Sequence, residues 1–368
     1  MTSKELFDSI KKKLSDNSID NYENEAYFII EKALSLSRTD LLLNFNQEVS
    51  ERQADYALKV TAERIKGVPI QYCIGEWDFY GETYKVGEGV LIPRPETEEL
   101  CEIVIDELRN MSNPSVIDLC SGSGCIGLTI KKNVPDAKVF LVEKSRDALK
   151  YLIQNASDIC PNEFVSIVNG DVLKPDSFDE TFDKVDVIVS NPPYIRSDEI
   201  DSLQKEVQLE PKMALDGGED GYDFYRVLCS DWHRYLKEGG IMAFECGEDQ
   251  AADISNLFSE IDFDSENGTL VAYSLGDLIG DIPEAGTEYS IILDLEITKD
   301  HKTGESAITN YSYTPIFTVA EENHPLRVLR IREAIAAYEE GYMNAVSEET
   351  YKAMQNALER IEDRITGE

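Results

Sequence analysis

The sequence predicts an α/β chain built on an open parallel sheet, with a helical bundle ahead of it and an atypical extension behind. Three observations carry this. Apolar runs at 115–119, 139–142, 164–168, 185–189 and 240–246 alternate with helical stretches, and such alternation builds a parallel sheet through right-handed crossovers. The first run, Ser115-Val116-Ile117-Asp118-Leu119, passes through Cys120-Ser121-Gly122-Ser123-Gly124-Cys125-Ile126-Gly127 into helix-forming Leu128 to Lys132. Strand, glycine turn and helix in that order open a Rossmann-like, nucleotide-type fold. Residues 1–66, in contrast, repeat apolar side chains only at helical spacing.

Within that first stretch Leu6, Ile10 and Leu14 share a helical face, as do Tyr27, Ile30, Ala33 and Leu34, and then Ala54, Ala57, Leu58, Ala62 and Ile65. Residues 37–40 and 44–50 read as breaks, and Ser50-Glu51-Arg52-Gln53 as a capping box. Residues 1–70 are expected to be a helical domain that either docks substrate or serves folding. Residues 71–90 read as a hairpin linker, with Glu76-Trp77-Asp78-Phe79-Tyr80-Gly81 facing Glu82-Thr83-Tyr84-Lys85-Val86. The sheet domain is expected over 91–262. Prolines on both sides of Arg94 stiffen its start, and Thr97-Glu98-Glu99 opens a helix through Leu100, Val104 and Leu108. In the extension, 263–368, Leu270 to Tyr273 and Ser290 to Leu295 are candidates to complete the sheet. From Pro325 the tail reads as helical: Val328, Ile331, Ile335, Tyr338 and Tyr342 form one stripe, and Tyr351, Met354, Leu358, Ile361 and Ile365 follow a Ser347 cap. That stripe suits either a partner surface or packing on the chain's own core.

Charge and cysteine content narrow the function. Net charge is −37, distributed as −2 over 1–75, −30 over 76–296 and −5 over 297–368. Gripping a nucleic-acid backbone needs Lys and Arg, so direct nucleic-acid binding is not expected; solubility, a salty cytoplasm or partner steering would each account for the acidity. Seven cysteines without a C-x-x-C pair, and no signal peptide, read as reduced thiols in the cytoplasm. No apolar run reaches membrane-spanning length. With only His233, His301 and His324 in the chain, no metal site is expected.

The chemistry is expected at Asn191-Pro192-Pro193-Tyr194, directly after the apolar run 185–189. Each proline holds the residue before it extended, so the Asn191 side-chain oxygen and the Pro192 carbonyl can converge on a planar NH2 group, with Tyr194 covering its flat face. Acceptors on both hydrogens favour the positively charged transition state of N-alkylation. Asp118 before the turn would repel a pyrophosphate but attract a sulfonium or an ammonium. Glu143 ends the second sheet strand, where ribose hydroxyls are bound in such folds. Asp171 either accepts from an adenine amino group, with Val172 against the ring, or is a turn residue. Asp118 and Glu143 together favour S-adenosylmethionine over a dinucleotide; the glycine turn alone is weak evidence for either.

Residues 1–260 resemble the HemK-type N(5)-glutamine methyltransferases of peptide chain release factors. The resemblance is carried by Gly75 with Phe79-Tyr80-Gly81, by Leu91-Ile92-Pro93-Arg94-Pro95-Glu96-Thr97-Glu98, by 118–124, by Asn191-Pro192-Pro193-Tyr194-Ile195, and by Glu210-Pro211 through Ala214-Leu215-Asp216-Gly217-Gly218-Glu219-Asp220-Gly221. It implies a methyltransferase domain over 91–262 and, as substrate, the Gln of the release-factor Gly-Gly-Gln motif. It also implies Asn191 and Pro192 as amide acceptors, with Asn191 near the sulfonium as well, Tyr194 as a substrate contact, and the turn Cys120, Ser121, Gly122, Ser123 and Gly124 with Glu143 as the S-adenosylmethionine site. Cys120 stands where many members have glycine, a change expected to be tolerated. Past residue 262 the chain instead resembles the C-terminal portion of CapA-like poly-gamma-glutamate capsule proteins, through 268–279, Tyr289 to Ile297 and Tyr313-Thr314-Pro315. Two other functions stay open at this point: a DNA or RNA amino-methyltransferase, because the same tetrapeptide suits a flipped adenine, and a non-catalytic protein, if the extension prevents the sheet from closing.

Overall fold

The structure, a computed structural model, describes residues 1–109, 111–247, 250, 253–254, 257, 267–275, 289–299, 306–319, 327–339 and 347–366, the strands between 267 and 330 by their backbone. Five helices come first: α1 (Ser3–Asp16), α2 (Tyr22–Leu34), α3 (Arg38–Leu43), α4 (Glu51–Ile65) and α5 (Ile70–Ile74). Capping boxes Thr2/Glu5 and Ser50/Gln53 start α1 and α4, each satisfying two backbone donors that a helix leaves free. Residues 37–40, expected as a break, instead start α3, because the Ser37 hydroxyl accepts from the Asp40 N–H. Leu6, Ile10, Leu14, Ile30 and Ala57 meet in one buried cluster. Beside it Arg64 Nε and Nη2 donate to the Glu25 carboxylate at 2.7 and 3.1 Å. Arg64 Nη1 lies 3.0 Å from Glu206, so the same guanidinium ties the bundle to a segment far along the chain.

A hairpin follows, β1 (Glu76–Phe79) with β2 (Glu82–Lys85), paired from Glu76↔Lys85 to Phe79↔Glu82. Tyr80 and Gly81 both have positive φ, 49° and 77°, as a two-residue turn matching the strand twist requires. Helix α6 (Thr97–Leu108) leads into β3 (Ser115–Leu119), α7 (Cys125–Asn133), β4 (Lys138–Glu143), α8 (Arg146–Ile159), β5 (Val165–Asn169), β6 (Val185–Ser190), α9 (Asp223–Ser230) and β7 (Leu236–Gly247). Then come β8 (Asn267–Leu275), β9 (Tyr289–Lys299), β10 (Ser306–Val319), β11 (Arg327–Arg330), α10 (Ile331–Glu339) and α11 (Glu348–Thr366).

Strands β3 to β11 form one sheet in the order β11-β10-β9-β8-β7-β6-β3-β4-β5. Pairing is parallel from β5 across to β8 and antiparallel beyond. Alternate residues feed two cores: Val116, Val187, Val189 and Ala243 pack on one face, Ile117, Ile188, Met242 and Phe244 on the other. Burial on both faces is why these strands read as unbroken apolar runs. Candidate closing strands 270–273 and 290–295 lie inside β8 and β9; β8 pairs with β7 through Leu270↔Met242, and β9 with β8 through Leu295↔Leu270.

The tail departs from the predicted helical run. Val328 lies in β11 opposite Thr318 of β10, and the helix begins only at Ile331. Tyr338 of α10 stacks on Tyr351 of α11 at 4.4 Å between ring centroids, and Ile331, Ala334, Met354 and Ala357 are buried. Ser347 caps α11 as expected, accepting from the Thr350 N–H; Tyr342 and the Ile361 and Ile365 side chains lie outside the described residues.

Arg64→Met removes the guanidinium from the buried Glu25 carboxylate, a loss of about 3–5 kcal/mol that urea unfolding will show as a lower midpoint. Adding Glu25→Leu is expected to return most of it.

Candidate active site

The spatial order reverses at β3. The chain runs outward through β4 and β5, then returns to place β6 on the other side of β3. Ligands of open α/β sheets bind at the carboxyl ends of the strands flanking such a reversal. Leu119 and Ser190 are paired there, and the Ser190 hydroxyl donates to the Leu119 carbonyl at 2.7 Å. The glycine turn from Cys120 and the tetrapeptide from Asn191 therefore leave the sheet side by side.

Glu143 at the end of β4 holds the turn. Its Oε2 accepts from the Gly122 N–H at 2.8 Å and its Oε1 from the Ser145 N–H at 2.5 Å. Burial raises this carboxyl above the usual range while the backbone N–H groups oppose the shift. Gly122 and Gly124 take φ of +55° and +85°. A Cβ on Gly122 would meet nothing nearer than the Cys120 carbonyl at 4.0 Å, so the space over the turn is open beside Glu143; one on Gly124 would strike Leu152 at 2.3 Å. Ser121 donates from its N–H to the Val142 carbonyl at 3.0 Å, and the Ser123 carbonyl accepts from Asn155 at 2.9 Å. Cys120 has φ +60°, a left-handed conformation that glycine adopts without strain. That is the local reason a glycine suits this position.

Asp118 is wholly buried beneath the turn. Its Oδ2 accepts from the Gly127 N–H at 3.0 Å, and its Oδ1 is buried with no hydrogen-bond partner among the described residues. Burial pushes its carboxyl up to about 8. Asp171 follows β5, where Oδ1 accepts from the Leu173 N–H and Oδ2 meets Lys144 at 3.0 Å. Val172 is buried in the sheet's second core, and its carbonyl accepts from Trp232 Nε1.

In the tetrapeptide Pro192 and Pro193 are buried and Asn191 and Tyr194 half-buried. The loop 216–221 packs against it. A Cβ on Gly217 would come within 2.7 Å of the Tyr194 Cα, and one on Gly221 within 2.6 Å of the Tyr194 carbonyl. Gln250 donates to that same carbonyl at 3.1 Å. Burial, with Glu245 nearby, keeps the Tyr194 hydroxyl well above its ordinary range and so neutral. The Asn191 Nδ2 donates to Thr97 Oγ1 at 3.3 Å, and Thr97 donates to Glu245 Oε2 at 2.6 Å. Arg94 pairs with the buried Glu210, whose other oxygen accepts from the Ile92 N–H at 2.9 Å. This links the Pro-Arg-Pro and Glu-Pro motifs.

A family model described as the PrmC N-terminal domain matches residues 5–75, and one described as the methyltransferase small domain matches 97–218. A release factor glutamine methyltransferase of Thermodesulfovibrio yellowstonii is 40% identical over 237 residues, 63% of this chain and 82% of the relative. The chain belongs to the release factor glutamine methyltransferase family. Relatives bearing the same description from Clostridium acetobutylicum and Bacillus cereus are each 37% identical over 251 residues, covering 87% of their own lengths and 68% and 67% of this chain. The enzyme's cofactor is accordingly S-adenosylmethionine. The open space over Gly122 and the unpartnered Asp118 Oδ1 suit a ligand with ribose hydroxyls and an ammonium. The C-terminal resemblance to CapA-like proteins has no support in these matches.

Sequence reasoning passed over Thr97, Glu245 and Asn155 as site residues. Asn155 bridges the hairpin to the turn, its Oδ1 accepting from the Lys85 N–H at 2.7 Å. Glu245 carried a signal: it is an acid at the end of an apolar strand on the same rim as Asp118 and Glu143.

The φ of Cys120 yields a stability test. Cys120→Val puts a β-branched side chain in the left-handed region and is expected to cost about 1–3 kcal/mol in denaturant unfolding. Cys120→Gly is expected to stay within about 1 kcal/mol of the parent chain.

Proposed function

We infer that the enzyme methylates the side-chain amide nitrogen of the Gln in the Gly-Gly-Gln motif of peptide chain release factors. The observation that carries the reading is the pairing of Leu119 with Ser190, which brings the Asn-Pro-Pro-Tyr motif beside the glycine turn. S-adenosylmethionine supplies an electrophilic methyl group on a sulfonium. In the proposed assignment Glu143 receives the ribose hydroxyls, Asp171 and Val172 border the adenine, and residues 120–124 cradle the amino-acid end. Asp118 Oδ1 receives the ammonium.

Asn191 Oδ1 and the Pro192 carbonyl accept the two N–H groups of the Gln amide, with Tyr194 against its plane and Pro193 stiffening the segment. Both acceptors gain strength as the nitrogen becomes positive, so they bind the transition state more tightly than the substrate. A bound S-adenosylmethionine would give its methyl to the amide nitrogen and leave as the neutral thioether; the nitrogen's proton would be lost afterwards, so the chain's residues need supply no general base before transfer.

Residues 1–70 serve in this proposal as the docking domain, 71–90 as the hairpin linker, 91–262 as the catalytic domain and 263–368 as an extension that lengthens the sheet. The likeness of that extension to CapA-like proteins rests on sequence alone. The seven free thiols favour a cytoplasmic setting, and no helix of the described residues is long and apolar enough to cross a membrane. The net charge of −30 over 76–296 disfavours nucleic acid as substrate.

Labelled methyl from S-adenosylmethionine is expected on an unmodified release factor and not on its Gly-Gly-Ala variant. Asn191→Ala is expected to slow transfer by about 10²–10³ while cofactor binding persists; label on the Gly-Gly-Ala factor would overturn the assignment of acceptor. The Asp118 assignment has its own readout. A carboxyl at about 8 is largely protonated at pH 7, and an ammonium favours its ionised form. Cofactor binding at pH 7 is therefore expected to release a proton, visible by calorimetry in buffers of different ionisation enthalpy, and Asp118→Asn is expected to abolish that release.

A further inference from the structure

Three residues far apart in sequence meet behind the tetrapeptide. Thr97 opens α6, Asn191 follows β6, and Glu245 follows Phe244, the β7 partner of Ser190. Thr97 and Glu245 are 2% and 1% exposed, so water does not compete for their hydrogen bonds. The order of donors is fixed from one end. An ionised carboxylate only accepts, so the single Thr97 hydroxyl proton goes to Glu245 Oε2 at 2.6 Å. The Thr97 oxygen is left with lone pairs alone facing Asn191, and it receives the Nδ2 amino group at 3.3 Å. A flipped Asn191 would set its carbonyl oxygen against those lone pairs. Glu245 Oε1, moreover, is buried without a hydrogen-bond partner among the described residues, a costly arrangement for a carboxyl with only a packing role.

We infer that Glu245 is a positioning residue which, through Thr97, turns the Asn191 side-chain oxygen toward the substrate amide. The inference rests on the reading of Asn191 as an amide acceptor. It makes the orientation of Asn191 depend on the ionisation of Glu245: a protonated Glu245 can itself donate to Thr97, releasing the Thr97 proton to point at Asn191 and removing the preference. The titratable groups around Glu245 are Arg94, Glu96, Cys101, Cys125, Tyr194 and Tyr225. Burial is the largest influence and lifts the carboxyl to about 7, with hydrogen bonding from Thr97 and, more weakly, from Asn191 itself opposing it. The ionised, orienting form therefore prevails above about pH 7 and is lost as pH falls through it.

The test is steady-state methylation of an unmodified release factor by the full chain and by Thr97→Val, Thr97→Ser and Glu245→Gln. Thr97→Val and Glu245→Gln are expected to lower kcat by about tenfold or more, with cofactor Kd unchanged, and Thr97→Ser to recover most of the loss. In the parent enzyme kcat is expected to rise with pH through about 7, and in Glu245→Gln that limb is expected to disappear. Thr97→Val turning over within about twofold of the parent, or an acid limb that persists in Glu245→Gln, would overturn the inference. Glu245→Gln keeps the shape of the side chain, so its pH profile decides the matter if Thr97→Val does not fold. A parent enzyme that leaves the release factor unlabelled would instead refute the functional reading beneath it.

Discussion

The site depends on the parallel register of β3 and β6, and on the Ser190 hydroxyl that fastens their ends. A slip of one residue would turn every side chain of β6 to the other face, exchanging the two cores and misplacing Asn191. Val187, Ile188 and Val189 are fully buried, two on one face and one on the other, so such a slip has no low-energy form. Two consecutive prolines then end the strand's hydrogen bonding and convert a well-determined register into a well-determined exit.

Around that exit the protein buries more carboxylates than a core ordinarily tolerates: Asp118, Glu143, Glu210 and Glu245. Each is stabilised by a different donor, respectively a helix N–H, the turn N–H groups, Arg94, and Thr97. Low local dielectric strengthens these bonds and makes any missing one expensive. The unpartnered oxygens on Asp118 and Glu245 thus stand out from an otherwise satisfied set, and both lie at the strand ends where ligands are placed.

Much of this was legible in the sequence because it is local. The β3, β4 and β6 runs follow from burial on both faces, the glycine turn from its need for positive φ, and the Ser50/Gln53 box from a hydrogen bond spanning three residues. The same locality explains the error at Ser37, whose hydroxyl bonds the backbone N–H and the carboxylate of Asp40, three residues on, a pattern that suits a turn as well as a helix start. What stayed hidden is long-range. Nothing near Thr97 announces Glu245, 148 positions away, and nothing near Asn155 announces Lys85. The stripe from Val328 failed for a related reason. A run as short as Arg327-Val328-Leu329-Arg330 fits either periodicity, and its state is decided by β10 lying open beside it.

The extension also changes where the sheet stops. Without β8 to β11 the long strand β7, of 12 residues, would present its backbone at the rim. With them the sheet ends on one side in β5, of five residues, and on the other in β10, of which β11 pairs with only Ile316–Val319. Short edge strands are poor templates for pairing with another chain. The β5 border is therefore blunt, whereas the stretch 306–315 of β10 has no further strand paired on its outer side among the described residues.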